Sequence, residues 1–326
     1  MLLGARPADK LESMGEDSRP AAAALPRSSA AMVDGPHARV SPLAFLRALR
    51  PLQWTKNLLL FAGIVFSATF DELSRWEHAL AIFAAYCAAS SASYLVNDVQ
   101  DAELDRRHPL KRFRPIAAGE LSPRTALVGA AALALVALGG SLAVNLGSGA
   151  LLAGFLLLQL AYSTVLKRRL FVGVFAIAGL FVIRASAGAV AVDVRLSPWL
   201  VACTGLVALF LALAKRRGEL ASGDSEALRP ALRGYTVALL DQLVALAAGA
   251  TISTYALYTV VTDVPDALIG TVPLVAFGLL RYLYLVHRRD VAEEPDRVLV
   301  TDRPILVTVA AWMIMVIVVL SGSPPR

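Results

Sequence analysis

The chain has 326 residues, of which 57% are hydrophobic and only 17% charged, and its mean hydropathy is +0.63. Soluble proteins carry about 25% charged residues, so this composition excludes an ordinary soluble domain and indicates a protein that crosses a membrane many times. The net charge of +6 does not indicate a nucleic-acid partner, because the basic residues are scattered over many short loops. The two cysteines lie in apolar runs and form neither a disulfide framework nor a metal-ligand pattern.

Residues 1–40 are rich in alanine, proline, serine and charge, and they contain no apolar run long enough for the core of a signal peptide. We expect this segment to be a disordered cytoplasmic tail. The rest of the chain, 41–326, is predicted to form one membrane domain. It starts with a segment at about 41–56 in which apolar residues alternate with arginines, and we expect an interfacial helix on the bilayer surface there.

Apolar windows of roughly 17 to 25 residues, the length that crosses the hydrocarbon core, recur along the rest of the chain. Nine spans are predicted, at about 57–71, 78–96, 124–144, 148–165, 171–192, 198–214, 238–261, 266–286 and 303–321. The predicted fold class is therefore an all-α integral membrane protein built as a bundle of nine transmembrane helices.

Lysine and arginine are distributed unequally between the two sides of this predicted bundle. If the N-terminus is inside, 26 of the 31 basic residues fall in inner segments and only Arg75, Arg195 and Arg326 fall in outer ones. The positive-inside rule then predicts that the N-terminus and all the long charged loops are cytoplasmic. Because the outer links are short turns, any chemistry is expected at the inner face.

The densest charged segment is 97–115, which reads N-D-V-Q-D-A-E-L-D-R-R-H-P-L-K-R-F-R-P. On a helix, Asp98, Asp101 and Asp105 would fall within an arc of roughly 60°. Carboxylates on one stripe repel each other unless a cation lies between them, and their oxygen atoms favour Mg²⁺. Opposite charge follows from Lys111, Arg112 and Arg114. The segment predicts a site for a magnesium-bound diphosphate, and the alternative is a solvated loop without function.

A second charged segment, K-R-R-G-E-L at 215–220, follows the sixth predicted span. We expect it to form the other wall of one cavity with the first segment. Its candidate substrate-binding residues are Lys215, Arg216, Arg217 and Glu219. Further candidates at the same depth are Tyr162, Lys167 and Tyr235, with Lys56 and Asn57 where the first span begins. The alternative for the basic residues among them is a role in membrane topology alone.

Arg184 differs from these candidates because it lies inside an apolar span. A charged side chain is costly there and usually faces a cavity or a partner. We count it among the candidate substrate-binding residues, and a structural ion pair with a buried acid is the alternative.

The stretch N-D-V-Q-D-A-E-L-D, which ends the second predicted span, resembles the first Asp-rich motif of the UbiA-type intramembrane prenyltransferases. The resemblance extends over about 41–320 and implies a UbiA-type bundle with its active-site cavity at the cytoplasmic face. In that superfamily a second Asp-rich motif normally follows span six and binds a second Mg²⁺ on an isoprenyl diphosphate. Here K-R-R-G-E-L stands in that place, which should remove one metal and add a phosphate clamp.

Two further stretches, H-P-L-K-R-F-R-P-I-A-A-G at 108–119 and P-L-Q-W-T-K-N at 51–57, resemble the branch of the superfamily that transfers phosphoribose to polyprenyl phosphates. The resemblance implies 5-phosphoribosyl 1-diphosphate as donor, a polyprenyl (decaprenyl) phosphate in the bilayer of the plasma membrane as acceptor, and Mg²⁺ as cofactor. It implies a product that is a precursor of cell-wall arabinan. It leaves open whether the protein forms a homo-oligomer.

The same resemblance implies roles for individual residues. Asp98, Asp101 and Asp105, assisted by Asn97, would bind Mg²⁺ and through it the diphosphate, and would thus be the catalytic group. The donor phosphates would be held by Lys56, Asn57, Lys111, Arg112 and Arg114. The ribose phosphate or the lipid phosphate would be held by Lys215, Arg216, Arg217 and Glu219.

Two other functions stay open at the level of sequence. A prenyltransferase with an isoprenyl diphosphate donor is the first, although Glu219 alone is a poor replacement for two aspartates. A secondary transporter is the second, but transporters usually place charges near the middle of the membrane, whereas most charges here lie at the inner interface.

Overall fold

The computed structural model describes residues 42–67, 72–221, 232, 234–287 and 301–322. Within those ranges the protein consists of helices and the turns between them, without strands. Eight helical segments in the described ranges are long and apolar enough to cross a membrane. The predicted tail, 1–40, lies outside the described residues.

The α-helices are numbered in chain order. They are α1 (Pro42–Leu49), α2 (Ala62–Ser67), α3 (Leu73–Gln100), α4 (Ala102–Arg107), α5 (Pro123–Val144), α6 (Leu146–Thr164), α7 (Val172–Ala191), α8 (Pro198–Ala221), α9 (Val237–Val261), α10 (Val272–His287) and α11 (Arg303–Ser321). Short 3₁₀ helices lie at Pro51–Phe61, Lys111–Phe113, Leu166–Arg168 and Asp266–Thr271.

The second to ninth predicted spans correspond to the eight long helical segments. The first predicted span, 57–71, differs from them. Its residues belong to the 3₁₀ helix Pro51–Phe61 and to the short helix α2, and neither is among those eight segments. The count of nine spans therefore stays a prediction.

The predicted interfacial helix at about 41–56 begins as expected, but α1 ends at Leu49. Arg50 precedes Pro51, and a residue before proline is disfavoured in the α-helical conformation. Arg50 adopts the left-handed conformation, with φ 54° and ψ 61°, and the chain then continues as a 3₁₀ helix. The amphipathic segment is thus shorter than predicted, and the proline explains why.

Capping residues fix where the long helices begin. The Ser122 hydroxyl accepts a hydrogen bond from the Thr125 N–H at the start of α5, where Pro123 needs no partner for a backbone N–H. Asn145 alone separates α5 from α6: its side chain accepts from the Ser148 N–H and donates to the Val190 carbonyl at the end of α7. Asn145 thus lies where α5 ends, α6 begins and α7 ends, so the three helices run in alternating directions.

The 3₁₀ helix Pro51–Phe61 lies very close to α7, and a glycine of α7 makes this possible. A Cβ atom on Gly188 would lie 1.9 Å from the Leu60 carbonyl oxygen, so only glycine lets the two backbones approach this closely. Leu60 is fully buried in the apolar cluster shared with α3, α6 and α7. The N-terminal part of the membrane domain is therefore packed into the bundle.

Two large apolar clusters lie in the interior of the bundle. One combines residues of α3, α6 and α7, and the other combines residues of α7, α8, α9 and α10. Large aliphatic side chains on other helix faces are exposed, such as Leu135 and Leu157. Exposed aliphatic faces around a packed interior are expected of helices that contact lipid. Helix α3 ends at Gln100, and we call the end of the bundle where it does so the aspartate end.

Candidate active site

The three candidate aspartates lie around a break between two helices. Asp98 is in the last turn of α3, Asp101 lies between α3 and α4, and Asp105 is in α4. The Asp101 N–H still donates to the Asn97 carbonyl at 2.9 Å, and the Asp105 N–H to the Asp101 carbonyl at 2.8 Å. The helical hydrogen-bond pattern thus continues through the break.

One arginine bridges two of the aspartates. Arg114 Nη1 lies 2.6 Å from Asp105 Oδ2 and 3.3 Å from Asp98 Oδ1. Both aspartates are buried, and Asp98 is only 2% exposed. A second guanidinium, that of Arg50, donates to the same Asp98 oxygen at 2.5 Å. Positive charge on both sides compensates the cost of burying these carboxylates.

The third aspartate contacts a different part of the bundle. Lys167 Nζ lies 2.9 Å and 3.2 Å from the two carboxylate oxygens of Asp101. Lys167 belongs to the 3₁₀ turn that follows α6, so this ion pair joins the end of α3 to the α6–α7 link. The sequence identified both residues as candidates, and the structure brings them together.

The second charged segment forms a buried cluster at the end of α8. Arg216, which is 9% exposed, donates to Glu219 Oε2 at 2.8 Å and to the Tyr162 hydroxyl at 3.0 Å. Tyr162 is on α6, five positions before Lys167. The same stretch of chain therefore contacts Asp101 of the first segment and Arg216 of the second.

Arg217 contacts a different set of neighbours. Its Nε donates to Asp241 Oδ1 at 2.9 Å and its Nη1 to the Val286 carbonyl at 2.8 Å, which ties α8 to α9 and α10. His287 Nε2 also lies 3.1 Å from Asp241 Oδ1. Contacts of this kind hold neighbouring helices together. Lys215, two residues earlier, is half-buried and also has a partner.

Asn57 and Arg184 form a buried pair inside the bundle. Arg184 Nε donates to Asn57 Oδ1 at 2.9 Å, and Asn57 Nδ2 donates to Cys87 Sγ at 3.3 Å. The Arg184 guanidinium also lies 4.6 Å from the centre of the Phe155 ring. Among the described side chains no carboxylate pairs with Arg184, so the alternative of a buried ion pair with an acid is not what the structure shows.

Tyr235 supports the turn before α7. Its hydroxyl accepts a hydrogen bond from the Phe171 N–H at 2.9 Å, and the two rings meet edge to face. Phe171 has a positive φ of 59°, which is unfavourable for an aromatic residue and needs such support. Tyr235 therefore stabilises the link between α6 and α7, which also contains Lys167.

The remaining candidates lie in the loop after α4, near the end of α3 or in the 3₁₀ helix Pro51–Phe61. Arg112 is exposed, with its guanidinium 4.8 Å from the centre of the Phe113 ring. Lys56, Asn97 and Lys111 are half-buried, and Lys56 and Lys111 each have a partner. His108 accepts from the backbone N–H groups of Leu110 and Lys111, which orders this loop.

The aspartates supply the oxygen ligands that suit magnesium, but not as a closed cage. In the described ranges no three acidic, histidine or cysteine side chains are grouped so that they could hold an ion between them. Mg²⁺ is usually bound by one or two carboxylates together with substrate phosphates and waters. Separate carboxylates with cations beside them fit an ion that arrives with its diphosphate.

Sequence reasoning missed two residues of this region. Arg50 was noted only as a basic residue of the amphipathic segment, and Asp241 not at all. Arg50 lies 48 positions before Asp98, and Asp241 lies 24 positions after Arg217, so no local pattern joins the pairs. The only local signal was the Arg-Pro dipeptide at 50–51, which predicts that α1 ends there.

Comparisons with known proteins agree with this geometry. The sequence profile of the UbiA prenyltransferase family matches residues 58–301. The decaprenyl-phosphate phosphoribosyltransferase of Mycobacterium tuberculosis is 33% identical over 276 residues, which is 82% of this chain and 91% of that protein. The enzyme of the same name from Corynebacterium glutamicum is 34% identical over 294 residues, covering 86% of this chain and 87% of its own.

A solved structure supports the fold. The UbiA homologue from Archaeoglobus fulgidus, bound to GPP and Mg²⁺, superimposes with a TM-score of 0.68 at 19% identity, over 85% of this chain and 99% of that one. At that identity the likeness concerns the fold. The family match covers most of the chain, and the relatives that share a third of its residues extend over nearly the same range. The chain therefore belongs to the UbiA prenyltransferase family.

Proposed function

We propose that this protein transfers the 5-phosphoribosyl group from 5-phosphoribosyl 1-diphosphate to a polyprenyl phosphate and releases diphosphate. The reaction takes place at the cytoplasmic face of the plasma membrane with Mg²⁺. The product, a polyprenyl phosphoryl-5-phosphoribose, supplies a precursor for cell-wall arabinan. The names of the curated relatives, at 33% to 34% identity over more than four fifths of the chain, support this substrate pair.

One observation carries the proposal beyond those names. Where prenyltransferases have a second Asp-rich motif, this chain has a basic segment whose only acid, Glu219, already pairs with Arg216 at 2.8 Å. An isoprenyl diphosphate has only its diphosphate group to bind, whereas phosphoribosyl diphosphate has a diphosphate and, at the other end of the ribose, a 5-phosphate. One acidic and one basic segment match that division.

The charges suggest which part of the donor each segment holds. Asp98, Asp101 and Asp105, with Asn97, bind the magnesium-bound diphosphate, and Arg114 and Lys111 hold its outer oxygens. Arg216 and Lys215, at the end of α8, bind the 5-phosphate or the lipid phosphate. Tyr162 and Lys167 lie between them on one stretch of chain, so they position the ribose between the two phosphate sites.

Catalysis in this site is electrostatic. When bound, Mg²⁺ supplies positive charge to the departing diphosphate, and Arg114 and Lys167 add fixed charge nearby as the anomeric carbon becomes cationic. The acceptor phosphate is already anionic, so no general base has to remove a proton from it. A single in-line displacement inverts the α-configured donor, and NMR of the product should show the β anomer. An α product would exclude a single displacement.

The activity is tested with purified full-length protein, radiolabelled phosphoribosyl diphosphate and polyprenyl phosphate. We expect the label to enter the lipid fraction with Mg²⁺ and to stay out when the metal is chelated. Asp98→Asn and Asp101→Asn should each lower the rate by about a hundredfold or more, because each removes charge that faces the diphosphate. The matched control is Glu103→Gln, since the Glu103 side chain lies in the same segment but is 80% exposed.

The same assay separates the proposal from its rival. Phosphoribosyl diphosphate is replaced by an isoprenyl diphosphate, with an aromatic acceptor in place of the lipid phosphate. Transfer in that second reaction without transfer in the first would show that the protein is a prenyltransferase of the ordinary kind. An equal loss of activity in Glu103→Gln and Asp98→Asn would remove the specific role of the aspartates.

A further inference from the structure

Arg50 connects the interfacial helix to the first aspartate. It lies between α1 and the 3₁₀ helix Pro51–Phe61 in the left-handed conformation, where a residue other than glycine is strained. Its guanidinium donates to Asp98 Oδ1 at 2.5 Å and lies 5.2 Å from the centre of the Tyr94 ring, one turn earlier on α3. Strain held at such a position is characteristic of functional sites.

The contact involves a carboxylate oxygen atom, which is the kind of ligand that a magnesium ion prefers. Asp98 is 2% exposed, and its Oδ1 receives both Arg50 at 2.5 Å and Arg114 at 3.3 Å. A magnesium ion binds a carboxylate oxygen at about 2.0–2.1 Å. An ion at that distance and the Arg50 guanidinium, 2.5 Å from the same oxygen, would repel each other strongly in a buried place where charges are poorly screened, whereas the contact of Arg114 with this oxygen is already long. Arg50 and the ion therefore exclude each other at Oδ1.

Of the two arginines, Arg50 is the one that can leave. Arg114 is held at 2.6 Å by Asp105 in addition to its longer contact with Asp98. Among the described residues, Asp98 is the only acid that pairs with Arg50. Arg50 also follows α1, whose Arg47 forms a separate salt bridge with Glu120, so the helix stays attached when Arg50 moves.

We propose that Arg50 gates the first aspartate: its guanidinium competes with the divalent ion for Asp98 Oδ1 and turns to the diphosphate when the ion binds there. The negative charge of the buried Asp98 carboxylate is then balanced in both arrangements, by Arg50 before the ion binds and by the ion afterwards. The displaced guanidinium adds a bidentate contact to phosphate. The identity of the diphosphate rests on the proposed function, but the competition for the metal does not.

The test measures metal and diphosphate binding without turnover. Full-length protein in detergent is titrated with Mn²⁺, followed by electron paramagnetic resonance, and then with inorganic diphosphate in the presence of Mn²⁺. In Arg50→Gln we expect the dissociation constant for Mn²⁺ to fall about tenfold and that for diphosphate to rise about tenfold, since one charge-assisted contact changes in each case. Arg47→Gln removes an equal charge from α1 and should match the wild type in both titrations.

Two further variants exclude a general effect of charge. In the double variant Arg50→Gln/Asp98→Asn the gain in Mn²⁺ affinity should disappear, because the competition needs the Asp98 oxygen. Arg50→Lys keeps the charge but lacks the fork of the guanidinium, so it should show a smaller gain of the same sign.

Certain results would overturn the gate. An unchanged Mn²⁺ affinity in both Arg50→Gln and Arg50→Lys would do so, and so would a gain that persists without Asp98 or that Arg47→Gln reproduces. Because inorganic diphosphate is the probe, these results do not depend on whether the donor carries ribose. If the phosphoribosyl transfer assay failed, these binding results would still be valid.

Discussion

Arg184 shows how the bundle keeps a charged residue inside an apolar span. It is 6% exposed, and its partners are neutral: Asn57 Oδ1 at 2.9 Å, the Leu180 carbonyl at 3.4 Å and the faces of Phe155 and Phe181. Hydrogen bonds and aromatic faces compensate part of the cost of burying the charge. Asn57, in turn, belongs to the 3₁₀ helix that carries Lys56. This geometry indicates an anchor for that helix more than a substrate contact.

The two roles of Arg184 predict different kinetics. If Arg184 anchors the helix, Arg184→Ala leaves a cavity beside Phe155 and an unpaired acceptor on Asn57, which should cost about 1–3 kcal/mol of stability. Thermal unfolding in detergent should show the lower midpoint, with an unchanged KM for the donor at a temperature where the variant is folded. Arg195→Ala, at an exposed arginine, is the control and should unfold like the wild type. A KM that rises without any loss of stability would return Arg184 to the substrate site.

At the residue scale, the sequence identified the charged residues of the site better than it identified the residues that they contact. Asp98, Asp101 and Lys167 stood out because charged residues are rare in this chain, and the structure brings them into one region. Arg217 was identified by the same argument, but its contacts with Asp241 and Val286 tie helices together. The direction of a side chain at the end of a helix depends on neighbours far away in the chain. A pattern of charges does not contain that information.

Among the elements, the 3₁₀ helix Pro51–Phe61 departs furthest from what the sequence predicted. It has 11 residues, whereas 3₁₀ helices of more than three or four residues are uncommon. The sequence predicted that residues 51–56 end an interfacial helix and that a span begins at 57. In α7, Gly188 leaves room for the Leu60 carbonyl, and this close approach cannot be read from the segment itself. The long helices were predictable because their length and apolarity are local properties.

A methyl group on Gly188 should therefore disturb the packing of the 3₁₀ helix Pro51–Phe61. The added Cβ would lie 1.9 Å from the Leu60 carbonyl oxygen and 2.6 Å from the carbonyl carbon, which are backbone atoms that cannot rotate away. We expect Gly188→Ala to cost at least about 1–3 kcal/mol, the usual range for overpacking, and to displace the 3₁₀ helix that carries Lys56. Thermal unfolding and the KM for the donor should both change.

Gly154→Ala is the matched control for that substitution. Gly154 is in the interior of α6, and a Cβ there would meet nothing within 4 Å. Alanine should thus stabilise the helix by about 0.5–1 kcal/mol and leave the KM unchanged. If Gly188→Ala unfolded at the same temperature as Gly154→Ala, the close approach of the 3₁₀ helix to α7 would not exist in the folded protein.

For the whole molecule, α6 is the element that relates the two charged segments. Tyr162 contacts Arg216 of α8, and Lys167, just beyond the end of α6, contacts Asp101 beyond the end of α3. The sequence predicted that the two segments would share one cavity only from their similar places in the chain. The contacts through α6 give this expectation a physical basis, because two groups tied to one stretch of six residues cannot lie on opposite sides of the bundle.

The orientation of the whole bundle is a prediction that labelling can test. We expect the aspartate end to face the cytoplasm, because most lysines and arginines of the chain fall on that side of the predicted spans. Arg168→Cys places a thiol at an exposed position in the turn after α6, and Ser74→Cys places one at an exposed position in the first turn of α3, at the opposite end. Cys203→Ala serves as background, since the other native thiol, Cys87, is buried.

The readout is modification by a maleimide that cannot cross the membrane. In intact cells the cysteine of Ser74→Cys should react and that of Arg168→Cys should not, and in inverted vesicles the pattern should reverse. Phosphoribosyl diphosphate is a highly charged molecule that does not cross lipid, so the aspartates must face the compartment in which it is made. Labelling of Arg168→Cys from outside intact cells would place the aspartates on the other side of the membrane. The proposed donor would then have no route to them, whatever the binding site itself could do.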